Sequence, residues 1–236
     1  MRPMAATRLL AFDTSTEVLS VAVRHGDLLL THTGAGGAQA SGTLIPTIEQ
    51  LLAQAGLTLA GLDAIAFGRG PGSFTGLRTA CSVAQGLGFG AGVPLLPIDT
   101  LHAVAEEARH RFGATRVLAL LDARMDELYA ARYDFGQPVQ AGAEPQLMAP
   151  EQLQVPPDWA LAGNVFAAYG ERLPPAAARH EALPTAEAML RLAPELLAAG
   201  RAVEPAQAWP LYVRDKVAQT TEERAALKAA PIPPKS

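Results

Sequence analysis

Two stretches of the chain repeat one pattern: "RLLAFDTSTEVLSVAVRHG" (8–26) and "RVLALLDARMDELYAARYDFG" (116–136). Each opens on an arginine and runs through an apolar strand to an aspartate, Asp13 or Asp122. A short polar turn comes next, then a second strand that closes in a glycine turn. The match is weak residue by residue, but pattern and order agree, which marks a duplicated unit.

The segments after each copy extend the pattern. In the first half, "DLLLTHT" (27–33) reads as a third strand, and 41–56 as a helix. That helix has Leu44, Ile45, Ile48, Leu51, Leu52 and Ala55 on one face and Gly56 placed to end it. A buried strand (62–68), a glycine-rich loop, a helix (75–92), a strand (94–99) and a helix (100–112) complete the half. Thr100 is the expected N-cap of the last helix. The second half offers a proline-rich loop (138–157), a strand (159–163), a short helix (164–170) and a longer helix (185–199). A last ordered piece (208–218) precedes a polar, proline-capped tail.

Two β-β-β-α-β-α units of this kind describe an α/β chain with the duplicated ribonuclease-H-like fold of actin, Hsp70 and sugar kinases. The expected subdomains are 1–112 and 113–220, with a flexible tail at 221–236. That fold makes a nucleotide in the cleft a natural hypothesis, but fold alone does not assign function.

Charge and composition narrow the classes. A net charge of −4 without a basic stripe argues against a free-standing nucleic-acid binder. A single cysteine rules out an internal disulfide framework. The start "MRPMAATRLLAFD" lacks a signal-peptide core, and "GLGFGAGVPLLPID" is too short and broken to span a bilayer, so a cytoplasmic protein is expected.

The glycine-rich stretch "GRGPGSFTGLRTACSVAQG" (68–86) fails the phosphate templates. No lysine follows its glycines as a P-loop requires, and Gly68-x-Gly70 and Gly70-x-Gly72 lead to Ser73 and Thr75 where the dinucleotide fingerprint needs glycine. Two readings stay open: anion binding at the amides of Thr75 and Gly76 with Ser73, or a tight turn capped by Ser73 or Thr75. The turns after Asp13 ("DTST") and Asp122 ("DARMDE") contain no glycine, so side chains stand where phosphate would meet backbone, and ATP hydrolysis is not expected. Five scattered histidines, with His102 and Glu106 one helical turn apart, make a thin metal set, and Cys81 reads as a packing residue. Gly76, Ala80, Ala84 and Gly88 recur every four residues. Such a face admits a closely packed helix, either a partner's or the chain's own.

At this point the residues resemble a known family. "LAFDTSTEVLSVAV", "AFGRGPGSFTGLRTACSVAQGLGFG", "LLDARMDELYAARYD" and "PLYVRDKVA" together are similar to the TsaB (YeaZ) family, across about 8–218. The resemblance implies a non-catalytic bacterial subunit of the complex that makes N6-threonylcarbamoyladenosine at position 37 of tRNAs reading codons that begin with A. It implies a TsaD partner that transfers the group, docked through the helices of the first half, and a small ATPase, TsaE. It also implies tRNA bound through the complex, a homodimer as an alternative when TsaD is absent, and ATP and metal held by the partner subunits, with no cofactor in this chain. The expected contact residues are Ile45, Ile48, Leu52, Ser73, Thr75, Gly76, Arg78, Ala80, Ala84 and Gly88. Many relatives have a His-Ser pair ahead of the first helix where this chain has Ala40-Ser41.

Overall fold

A computed structural model describes residues 7–137 and 144–214; the expected tail at 221–236 lies outside them. Five strands of the first half are β1 (Arg8–Asp13), β2 (Val18–His25), β3 (Leu28–Ala35), β4 (Ala64–Gly70) and β5 (Leu95–Asp99). They form one sheet in the order β3-β2-β1-β4-β5. The second sheet contains β6 (Arg116–Arg124), β7 (Glu127–Asp134), β8 (Gln146–Met148), β9 (Ala160–Gly163) and β10 (Ala178–Glu181), in the order β10-β9-β6-β7-β8. Counted from the first strand of each half, the two orders coincide. β1 and β6 each have an antiparallel hairpin neighbour on one side and a parallel strand on the other. The repeated sequence is a repeated topology, as the duplicated fold requires.

The apolar runs of β1 and β4 are nearly continuous because both faces of the first sheet are covered. On one side lie α1 (Ala40–Gln54) and α2 (Phe74–Ala91), whose Leu44, Ile48, Ala80 and Ala84 meet Leu10, Phe12 and Phe67. On the other lies α5 (Ala186–Ala198), whose Met189, Leu190 and Ala193 meet Leu9, Ala11 and Ala66. The inner face of the second sheet is covered by α3 (Thr100–Phe112), through Leu101, Val104 and Ala108 against Ala119, Leu121 and Tyr133. The closing helix of each half therefore packs on the sheet of the other half. Between them, buried Glu106 and Glu107 accept from Arg191, and Arg109 also holds Glu106. Among the described residues, the outer face of the second sheet carries short pieces, among them a turn at Pro150–Gln152 and the four-residue α4 (Phe166–Tyr169).

Three local expectations are corrected. The strand expected to end at Gly68 runs on through Gly70 as β4, so Arg69 and Gly70 are strand and not loop. The N-cap of α3 is Asp99, not Thr100; the Asp99 carboxylate accepts from Arg69, and the Thr100 hydroxyl accepts from the Gly70 amide. The region 138–157, read as loop, contains β8.

Candidate functional site

The glycine-rich loop folds onto the first aspartate turn of its own chain. The Ser73 amide donates to the Ser15 carbonyl at 2.7 Å, and the Thr14 hydroxyl donates to the Gly76 carbonyl at 2.7 Å. A Cβ on Gly76 would overlap the Thr14 carbonyl oxygen, and one on Gly72 would stand 2.7 Å from Ser15. These glycines serve close approach between two backbones of the same lobe. Ser73 stands at the N-cap of α2, yet its side chain makes no capping bond.

Asp13 is sealed behind this contact. One carboxylate oxygen accepts from the amide and hydroxyl of Ser15; the other has no partner and stands against Gly68. Burial pushes its pKa up to about 6, against the weaker opposing pull of the Ser15 bonds. Asp122 is occupied differently: Tyr169 donates to its carboxylate at 2.8 Å, and Arg124 pairs with it. Between the two turns remains a cleft of about 300 Å³ lined by Ser15, Thr16, Ser73, Asp122, Arg124 and Asn164. The two strand-end aspartates are thus held by the chain's own groups on either side of the cleft.

Of the two neighbours left open for the small-residue stripe of α2, the chain's own is the one it meets: the stripe faces inward. Ala80 and Ala84 are fully buried in the core, and a Cβ on Gly88 would stand 2.9 Å from Leu95 and 3.0 Å from Pro205. Ile48 and Leu52 of α1 are core residues too, while Ile45 turns outward and is 42% exposed. Of the expected contact set, Ile45, Ser73, Thr75 and Arg78 are exposed, and Ile48, Leu52, Gly76, Ala80, Ala84 and Gly88 are buried. A stripe of small residues signals close approach without saying to whom. Ala84→Leu is therefore expected to cost about 1–3 kcal/mol of stability by overpacking, while the folded fraction keeps its affinity for any partner. Thermal melting and calorimetry on the same variant check this.

The outward faces tell a different story. On α1 they present Gly42, Ile45, Pro46 and Glu49; on α2, Ser82, Gly86, Phe89 and Gly90. A Cβ on Gly42, Gly86 or Gly90 would meet nothing within 4 Å. Glycine inside a helix costs about 0.5–1 kcal/mol relative to alanine, and the described chain gains nothing for these three. Phe89 beside them is 64% exposed. Sequence reasoning flags the glycines at 86 and 90 together with those at 76 and 88 and places Ile45 in the contact set. It cannot separate this outward surface from the inward one, because the absence of neighbours is a property of the fold.

A C-terminal strap, 205–214, runs along α2. The carbonyl of Ala208 accepts from Gln85 at 3.0 Å and from the Cys81 thiol, and the Leu211 amide donates to the Arg69 carbonyl. Tyr212 accepts from Arg78 and stands 5.4 Å from Phe74. Arg214 then reaches the β6–β7 turn and binds Glu127 and the carbonyls of Ala123 and Arg124.

The His102–Glu106 pair considered for a metal is committed elsewhere. His102 is stacked on Tyr133, its pKa lowered by burial, and Glu106 is held by two arginines. Among the described residues no group of three or more His, Cys, Asp or Glu is placed to hold a metal ion. Nor is any described helix long and apolar enough to cross a membrane.

Comparison with known proteins finds relatives over most of the chain. The profile of the family described as TsaD, tRNA N6-adenosine threonylcarbamoyltransferase, matches residues 37–223. The tRNA threonylcarbamoyladenosine biosynthesis protein TsaB of Escherichia coli (strain K12) is 35% identical over 231 residues, covering 89% of this chain and 96% of its own. The protein of the same description from Haemophilus influenzae is 40% identical over 225 residues, covering 89% and 94%. Among solved structures, YeaZ from Pseudomonas aeruginosa superposes with a TM-score of 0.79 at 41% identity, over 87% of this chain and 99% of its own.

Proposed function

The chain belongs to the TsaB (YeaZ) family, and from that premise we propose that it is the non-catalytic scaffold subunit of the assembly that places a threonylcarbamoyl group on N6 of adenosine 37 in tRNAs reading codons that begin with A. In this reading it docks on the transferring subunit TsaD, is joined by the ATPase TsaE, and meets tRNA only within that assembly, in the cytoplasm. ATP and metal belong to the partner subunits. The half 1–112 carries the docking helices, and 113–220 completes the fold. Without TsaD the same helices are available to a second copy of the chain.

The observation that carries the reading is the outer face of α1 and α2. Gly42, Gly86 and Gly90 are open to solvent beside Ile45 and Phe89, so two helices of a partner can approach to backbone distance there. The sugar-kinase-like alternative lacks support, because neither aspartate turn has the glycines that let backbone amides reach a phosphate.

Gly86→Leu tests the proposal. The new side chain enters open space and improves helix propensity, so the variant is expected to melt no lower than the parent. Its affinity for TsaD should fall about ten- to a hundredfold. Transfer to tRNA by TsaD and TsaE should fall with it, and the isolated parent chain should transfer nothing. Undiminished affinity in the variant, or transfer by the chain alone, would sink the proposal.

A further inference from the structure

The β6–β7 turn has an unusual backbone. Arg124, Met125 and Asp126 have φ of 62°, 57° and 61°, all in the left-handed region. A two-residue hairpin loop of this form ordinarily contains Asn-Gly, and each non-glycine residue held there costs on the order of 1 kcal/mol. Much surrounding structure keeps it in place: Arg214 binds two of its carbonyls and contacts the Met125 sulfur, Arg172 pairs with Asp126, and Asp122 accepts from the Arg124 amide. The side chains presented gain little in return. Met125 is 53% exposed, and Arg124 projects its guanidinium into solvent beside Asp122.

This turn forms one wall of an apolar concavity of about 220 Å³. Phe74, Leu77, Tyr212 and the Arg214 stem complete it. Arg78 stands at its edge, donating to Tyr212 with its guanidinium 3.9 Å from the centre of the Phe74 ring, and it has no carboxylate partner among the described residues. The nearby carboxylates are taken: Asp122 by Arg124, Asp126 by Arg172 and Glu127 by Arg214. Trp209, within the strap, is exposed. Methionine, aromatic residues and arginine around a small hollow are the composition of a protein-binding hot spot.

The patch also continues the α2 face assigned above to the partner. Arg78, Ser82, Gly86 and Gly90 succeed one another at four-residue spacing and all are exposed. We infer that the partner's footprint extends past α1 and α2, across Arg78, to the strap and the Arg124–Met125 turn. There the partner inserts an apolar side chain between Phe74, Met125 and Tyr212 and sets an acidic side chain against Arg78 and Arg124. This inference rests on the docking proposed above. Charge decides the occupant: the uncompensated group on the rim is a cation, and the hollow beneath it is apolar.

The test compares three variants by calorimetry with purified TsaD: Arg78→Glu, Met125→Gly and the helix-face control Gly86→Leu. Arg78→Glu and Met125→Gly should each weaken binding about tenfold or more. Met125→Gly should also melt at or above the parent, because glycine relieves the left-handed backbone. If the parent binds TsaD, Gly86→Leu does not, and both patch variants stay within about threefold of the parent, the extension fails and the helix docking stands. If the parent does not bind at all, the docking itself fails. Should Arg78→Glu melt early, hydrogen exchange on the parent replaces it. Slowed exchange at 123–127 and 209–213 on mixing with TsaD then supports the inference. Unchanged exchange overturns it, as does slowing by tRNA alone and not by TsaD.

Discussion

Gly76→Ala is expected to destabilise the chain by about 3–5 kcal/mol, the sum of an overpacking penalty and the loss of two buried hydrogen bonds. The new Cβ overlaps the Thr14 carbonyl, which is backbone and cannot swing aside. To make room, α2 must lift from the Asp13–Thr16 turn, breaking the bonds from Thr14 to the Gly76 carbonyl and from the Ser73 amide to Ser15. A loss of this size lowers the melting temperature of a chain this long by on the order of 10 °C. The same exchange near the other end of the helix, Gly90→Ala, meets nothing within 4 Å and should stabilise by about 0.5–1 kcal/mol. One helix and one added methyl group give opposite signs. Equal shifts in the two melting curves would refute the assignment of Gly76 to backbone approach.

The second large effect belongs to Asp13 and is read in pH. Its folded pKa is about 6 against an ordinary 3.8, so the folded state favours the neutral carboxyl. Above both values the ionised group costs about 3 kcal/mol, because each pKa unit between them is worth about 1.36 kcal/mol. Below the unfolded value both states are protonated and the cost vanishes. On account of this group alone, stability therefore falls as pH rises from about 4 to about 6 and stays level above. Asp13→Asn keeps an acceptor for Ser15 and removes the titration. The difference in unfolding free energy between variant and parent should move by about 2–3 kcal/mol in the variant's favour between about pH 4 and about pH 7. Denaturant melts at both pH values measure it, and a pH-independent difference would show that Asp13 is not the sealed carboxyl described.

The fold is legible wherever a local pattern is long. The two apolar runs ending in Asp13 and Asp122 locate the duplicated hairpins, and the helix face read for α1 locates its core residues, Ile45 apart. β8 is not legible, because three residues in a proline-rich stretch have no period to read. The α3 cap is misread because two neighbouring polar residues both qualify, and Arg69 and Gly70, about thirty positions away in sequence, decide between them. The candidate site is half legible. Gly76, Ala80, Ala84 and Gly88 announce close packing, but the backbone they meet includes Thr14, distant in sequence, so direction is invisible. The strap is harder still: Cys81 and Gln85 are joined to Ala208 by bonds that no motif foretells. In the β6–β7 turn a negative signal is available, since Met-Asp stands where a two-residue hairpin loop favours Asn-Gly.

The crossing of α3 and α5 bears on how such a chain could have arisen. Cut at the junction between its halves, the first half would bare Leu9, Ala11, Ala22 and Ala66, now under α5, and the second would bare Ala119, Leu121 and Tyr133, now under α3. Neither piece encloses its own interior. A single-unit ancestor would have met the same difficulty, and the remedy is to trade closing helices with an identical copy, the arithmetic of domain swapping. Gene fusion then makes an intermolecular exchange intramolecular and independent of concentration. The two lobes, though separately drawn as sheets, are expected to melt together as one cooperative unit, with a single transition in calorimetry.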